Sequence, residues 1–101
     1  MRLTPDQQSV IRNAVTETFG DAAHVWLFGS RVDDNKRGGD IDLLIETSQT
    51  DVAEIVVAEL RFLTKLKMQL GEQKIDVLID YPTRQVRPPI FSIARQTGIP
   101  L

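Results

Sequence analysis

The strongest constraint on this chain is a pair of short apolar segments, residues 25–28 and 41–45, separated by a polar stretch that opens Gly29-Ser30-Arg31 and closes Gly38-Gly39-Asp40. Apolar residues that run into a Gly-Ser turn read as a strand handing over to a loop. The second segment carries Asp40 and Asp42 with one residue between them. Side chains alternate along a strand, so the two aspartates share one face while Ile41 and Leu43 take the other. Carboxylates held roughly 6–7 Å apart in this way can bind hard cations between them. The Gly-Ser turn offers backbone N–H groups and a hydroxyl, which suit a phosphate. A metal site and a phosphate site on neighbouring strand ends are what phosphoryl or nucleotidyl transfer requires.

Acidic residues on an exposed strand need no special explanation, but this pair does. Aspartate is a poor strand former, the pair adjoins the apolar run Leu43-Leu44-Ile45, and two like charges on one face repel unless a cation joins them. A third aspartate, Asp76, interrupts the aliphatic strand expected over 74–79. A carboxylate there is costly unless paired or metal-bound. Ile75, Val77 and Ile79 fall on one face of that strand and Asp76, Leu78 and Asp80 on the other, with Asp80 read as a strand-end or turn residue.

The rest of the chain supplies scaffold. Thr4-Pro5-Asp6-Gln7 has the form of a capping box with proline in the first turn, and the apolar stripe Val10, Ile11, Ala14, Val15, Thr18, Phe19 predicts a helix stopped by Gly20. His24, the sole histidine, reads as an edge or partly buried residue rather than a catalyst, and Trp26 and Phe28 as core. A long helix is expected over 51–70, with Val52, Val56, Leu60, Leu63, Leu66 and Leu70 as its core-facing stripe. Ile55, Val57, Ala58 and Phe62 are then an apolar surplus that hints at a partner surface, although deep burial would also explain it. Pro82, Pro88 and Pro89 mark an extended connection, followed by a short helix stopped by Gly98; Arg84, Arg87 and Arg95 read most simply as solvated. In the loop after the first strand, Asp33 and Asp34 read as a solvated turn; Arg31, Lys36 and Arg37 either belong to that turn or, if Ser30 opens a short helix facing the phosphates, one of them neutralises a triphosphate. This order of elements implies an α/β domain on a small sheet, with helices on one face and the aspartate-bearing face open.

Composition narrows the classes. The 101 residues fit one domain, 1–101, with a single core. A net charge of −2 gives no basic field for gripping nucleic acid. The absence of cysteine removes disulfides, thiolate catalysis and Cys-ligated zinc. No apolar run approaches membrane-spanning length, so a cytoplasmic protein is expected.

Gly29-Ser30, a nine-residue spacer and Asp40-Ile41-Asp42, with Asp76 on a later strand, resemble the signature of the DNA polymerase β-like nucleotidyltransferase superfamily. In length the chain resembles the minimal nucleotidyltransferases of prokaryotes, often the antitoxin partners of HEPN-domain toxins. It departs from the signature after Ser30, where Asp33-Asp34 stand where many members have glycine. The resemblance implies a small mixed sheet of the polymerase β palm type, with Asp40, Asp42 and Asp76 as catalytic metal ligands and Gly29, Ser30 and Arg31 as nucleotide-binding residues. It also implies two magnesium ions, with manganese as a substitute, and ATP or another nucleoside triphosphate as donor. The expected reaction is transfer of AMP to a hydroxyl, by extension a tyrosine of a HEPN-domain partner, with Asp76 as general base. A domain this small lacks a lobe for the acceptor, so a partner or a second copy of the chain is expected to provide one. The rival reading is an idle nucleotide-binding antitoxin that masks its partner. A kinase of the Gly-rich-loop type is disfavoured, since no such loop ending in Lys-Ser/Thr is present.

Overall fold

A computed structural model describes residues 3–32 and 39–101. The chain begins with helix α1 (Pro5–Phe19), then strand β1 (His24–Phe28), which runs into a single 3-10 turn (Gly29–Val32). Strand β2 (Ile41–Glu46), helix α2 (Val52–Leu70), strand β3 (Ile75–Asp80), helix α3 (Ile90–Thr97) and a two-residue strand β4 (Ile99–Pro100) follow. The strands form one mixed sheet in the order β3-β2-β1-β4. β1 pairs antiparallel with β2 and with β4, whereas β2 and β3 are parallel and joined by the α2 crossover.

The local signals act as expected at several positions. The Thr4 hydroxyl accepts from the Gln7 N–H, and the Gln7 side chain accepts from the Thr4 N–H, a complete capping box. The Asp51 carboxylate caps α2 by accepting from the N–H groups of Ala53 and Glu54. In β2, Ile41, Leu43, Leu44 and Ile45 are all fully buried. A near-continuous apolar run is the mark of a strand covered on both faces, and both faces of β2 are covered. Ile41, Leu43 and Ile45 join Val25, Leu27, Ile11, Val15, Phe62 and Leu66 in the main core under α1 and α2. Leu44 joins Phe28, Phe91 and Ala94 in a second cluster under α3, with Trp26 and Leu78 packed against it.

That second cluster corrects one expectation. The α/β class and mixed sheet are as expected, but the helices do not all share a face: α3 lies across the middle of the face that carries Asp42 and Asp76. The physical reason is the alternation itself, since Trp26, Phe28, Leu44 and Leu78 point to the aspartate face and need apolar cover. Phe91 and Ala94 of α3 provide it.

The core stripe of α2 is also rotated from its expected position. Leu66 is buried, and Leu63 and Leu70 pack on the core, but Val52, Val56 and Leu60 are 53, 49 and 63% exposed. Ile55 and Phe62 are buried in their place, with Phe62 edge-on to Phe19 of α1 at 6.2 Å between ring centroids. Spacings of seven and four residues from Ile55 through Phe62 to Leu66 keep all three over the sheet and α1.

Candidate functional site

The site is built where β1 ends and β2 and β3 begin. Phe28, the last residue of β1, is in register with Asp42 of β2, and Asp42 is in register with Asp76 of β3. Adjacent strands lie about 4.8 Å apart, so these two carboxylates emerge side by side on one face. Asp40 immediately precedes β2, and the Ile41 N–H donates to the Lys74 carbonyl at 3.0 Å, which extends the β2–β3 ladder to this end. Asp42 is half-buried, whereas Asp76 is exposed. Burial, followed by the charges of Asp76 and Asp40, pushes the Asp42 carboxyl above its ordinary value, and Lys74 pulls it partly back. The Lys74 ammonium lies 3.6 Å from Asp40 Oδ2. Among the described residues, no basic side chain forms an ion pair with Asp42 or Asp76.

Gly29 gives the clearest evidence that this corner is shaped around Asp42. Its φ is +76°, a conformation that costs a glycine little, and a Cβ added there would collide with the Asp42 carboxylate. The carboxylate therefore occupies a cradle that only glycine leaves open. Ser30 follows in the 3-10 turn, its side chain outside what the structure describes, as are Asp33, Asp34, Lys36, Arg37 and Gly38. Arg31, expected to bind nucleotide, donates from Nη2 to the Gly39 carbonyl at 3.0 Å and to Gln73 Oε1 at 3.4 Å. It thus ties the residue before Asp40 to the segment before β3.

The same sheet face carries a second pair of acids that sequence reasoning missed. Glu46 and Asp80 are in register at the far ends of β2 and β3, four residues on from Asp42 and Asp76. Here arginine joins them. Arg95 of α3 donates to Glu46 Oε2 at 2.7 Å and to Asp80 Oδ2 at 2.6 Å, and Arg87 Nε donates to Asp80 Oδ1 at 2.8 Å. The Asp80 side chain is only 6% exposed. Burial alone would raise its pKa, but hydrogen bonds from Arg95 and Arg87 outweigh that and hold it below the ordinary carboxylate value. The same bond to Asp80 raises the pKa of Arg95. Arg87 and Arg95 are therefore structural partners rather than solvated residues. A signal existed: Arg95 is four residues after the buried Phe91 and so lies on the same helix face.

The donor chemistry at the first pair fits hard divalent cations, which take oxygen ligands from carboxylates. Asp42 in its cradle, Asp76 beside it and Asp40 two residues away would be those ligands. Among the described residues, no three His, Asp or Glu side chains are already gathered around one point.

A mixed sheet crossed by helices, with a glycine turn against a cross-strand carboxylate pair, defines a small α/β domain with a candidate cation and phosphate site at one end of its sheet. A family model described as nucleotidyltransferase domain matches residues 9–96, and the chain belongs to that family. The match spans β1 to β3 and most of α3, so it includes both the glycine turn and all three aspartates. No curated protein sequence matches the chain significantly. Among the described residues, no helix is long and apolar enough to cross a membrane.

Proposed function

We propose that this nucleotidyltransferase moves AMP from ATP to a hydroxyl of a protein partner, with Asp40, Asp42 and Asp76 as the ligands of two magnesium ions. The observation that carries this reading is the contrast between the two acid pairs on one sheet face. Glu46 and Asp80 are neutralised by arginines from the chain itself, whereas Asp42 and Asp76 retain their mutual repulsion. Like charges in register on neighbouring strands are destabilising, and a cation supplied with the substrate removes that cost. Bound there, magnesium supplies charge neutralisation on the triphosphate and lowers the pKa of the attacking hydroxyl.

The chain's own groups take the remaining roles. The exposed Asp76 accepts the proton of the acceptor hydroxyl. That oxygen forms a bond to the α-phosphorus, the bond between the α-phosphorus and the bridging oxygen breaks, and pyrophosphate leaves. The backbone N–H groups of the Gly29-Ser30 turn would hold the triphosphate. Acceptor specificity follows from the resemblance to minimal nucleotidyltransferases: the acceptor is a tyrosine of a HEPN-domain toxin, which AMP inactivates. The acidic balance of the chain supports a protein acceptor over free RNA.

Intact-mass spectrometry tests the reading. A HEPN-domain partner incubated with the chain, magnesium and ATP should gain one AMP and lose toxicity, and an Asp42→Asn variant should leave its mass unchanged. The competing reading, an antitoxin that masks its partner while its own site is idle, draws on the three aspartates not being gathered as placed. A partner that never gains nucleotide mass, yet is neutralised equally by Asp40→Asn, leaves only masking.

A further inference from the structure

Away from the carboxylates, on the opposite side of the sheet, α2 presents an apolar strip that the fold leaves uncovered. Val56, Val57 and Leu60 are 49, 50 and 63% exposed. Ala53 and Thr64 fall on the same face at spacings of three and four residues and are exposed as well. These residues make no part of either core cluster, so packing within the chain does not account for them.

The charges beside the strip specify what covers it. Glu54 and Arg61 are seven residues apart, two helical turns, and therefore stand along one flank of the strip. Both line the same recess as Val57. Lys65 continues that flank and reaches back to Glu17 of α1 at 2.7 Å. The flank thus runs from acidic at the start of the helix to basic toward its end. A two-fold axis perpendicular to two antiparallel helices brings the same flank of each together with reversed direction. Centred near Ala58, it lays Leu60 of one copy over Val56 and Val57 of the other and sets Glu54 of each against Arg61 of the other. A parallel two-fold pair would instead put the Glu54–Arg61 flanks of the two copies on opposite sides of the interface, where they could not pair with each other.

We propose that two copies of this chain associate antiparallel through α2, with Leu60 at the centre and reciprocal Glu54–Arg61 pairs at the rim. The strip is a modest patch rather than a full standard interface, so association is weak and reversible. Because α2 covers the face of the sheet opposite Asp42 and Asp76, the dimer leaves the carboxylate site open in both copies.

Sedimentation equilibrium of the full chain, over concentrations reaching a few hundred micromolar, tests this. The parent should show a reversible monomer–dimer equilibrium. Leu60→Lys should weaken it by about tenfold or more without lowering the melting temperature or changing magnesium-ATP binding, so failure here is separable from failure of the proposed site. Glu54→Arg and Arg61→Glu should each weaken association, and the double reversal should restore it. A chain that stays monomeric throughout, including one that associates only with a different protein, overturns the proposal. So does self-association indifferent to Leu60→Lys, or a double reversal no better than the single ones.

Discussion

Asp42 and Asp80 are aspartates on the same face of adjacent strands, and their environments drive them in opposite directions. The Asp42 carboxyl is raised by burial and by Asp76 and Asp40. Its contribution to stability is therefore present below the ordinary aspartate value and is lost as pH rises through the higher folded value. Asp42→Asn should consequently raise the melting temperature of the metal-free protein at neutral pH, and the gain should vanish in acid; thermal scans over a pH series measure both. Asp80 has the opposite sign. Its pKa is held below the ordinary value of 3.8, so its contribution is present above that value and is lost as pH falls through the lower folded one. Asp80→Asn removes the negative charge and replaces one of the two acceptor oxygens shared by Arg87 and Arg95 with an NH2 group, and should cost roughly 2–3 kcal/mol, below the usual figure for a broken buried pair because both arginines are partly exposed. Denaturant unfolding at neutral pH reads that loss. Gly29→Ala should strain the turn and push Asp42 from its cradle, and a variant that folds yet keeps full magnesium-ATP binding would contradict the role given to that glycine.

Elements differ in how much of their placement can be read before folding. The start of α1 is written in four residues, Thr4 to Gln7, because a capping box is a local contact. The phase of α2 is not local. Val52, Val56 and Leu60 have helical spacing, and so do Ile55, Phe62 and Leu66, so periodicity alone finds two apolar faces and cannot say which meets the sheet. The crossover between β2 and β3 decides it. Phe62→Ala should therefore cost about 3–5 kcal/mol, while Leu60→Ser, on the exposed strip, should change stability by no more than about 0.5 kcal/mol; chemical denaturation of the two variants checks the assignment. β4 was beyond sequence reasoning, since a two-residue strand has no period to detect, and it forms only because the chain leaving α3 returns alongside β1. Among the candidate site residues, Asp42 and Asp76 stand out in the sequence because aspartate in an apolar strand conflicts with its surroundings, and the parallel register sets them side by side; Asp40 lies just outside β2. Arg95 leaves a local trace in its four-residue spacing from Phe91, but its pairing with Asp80 alongside Arg87 leaves none, because it spans β3, the extended connection and α3.

Across the whole molecule, one sheet face is divided along its length. At one end Arg87 and Arg95 close off Glu46 and Asp80, in the middle α3 covers Trp26, Phe28, Leu44 and Leu78, and at the other end Asp42 and Asp76 lie beside Gly29 with no basic partner among the described residues. We propose that the far pair is completed from within and the near pair by a cation arriving with substrate. Titration calorimetry of magnesium and ATP against the parent, Asp42→Asn and Asp80→Asn chains tests it most directly. Binding should be strong and magnesium-dependent in the parent, retained by folded Asp80→Asn, and lost in Asp42→Asn. Equal magnesium-ATP affinity in the parent and in Asp42→Asn would contradict the account.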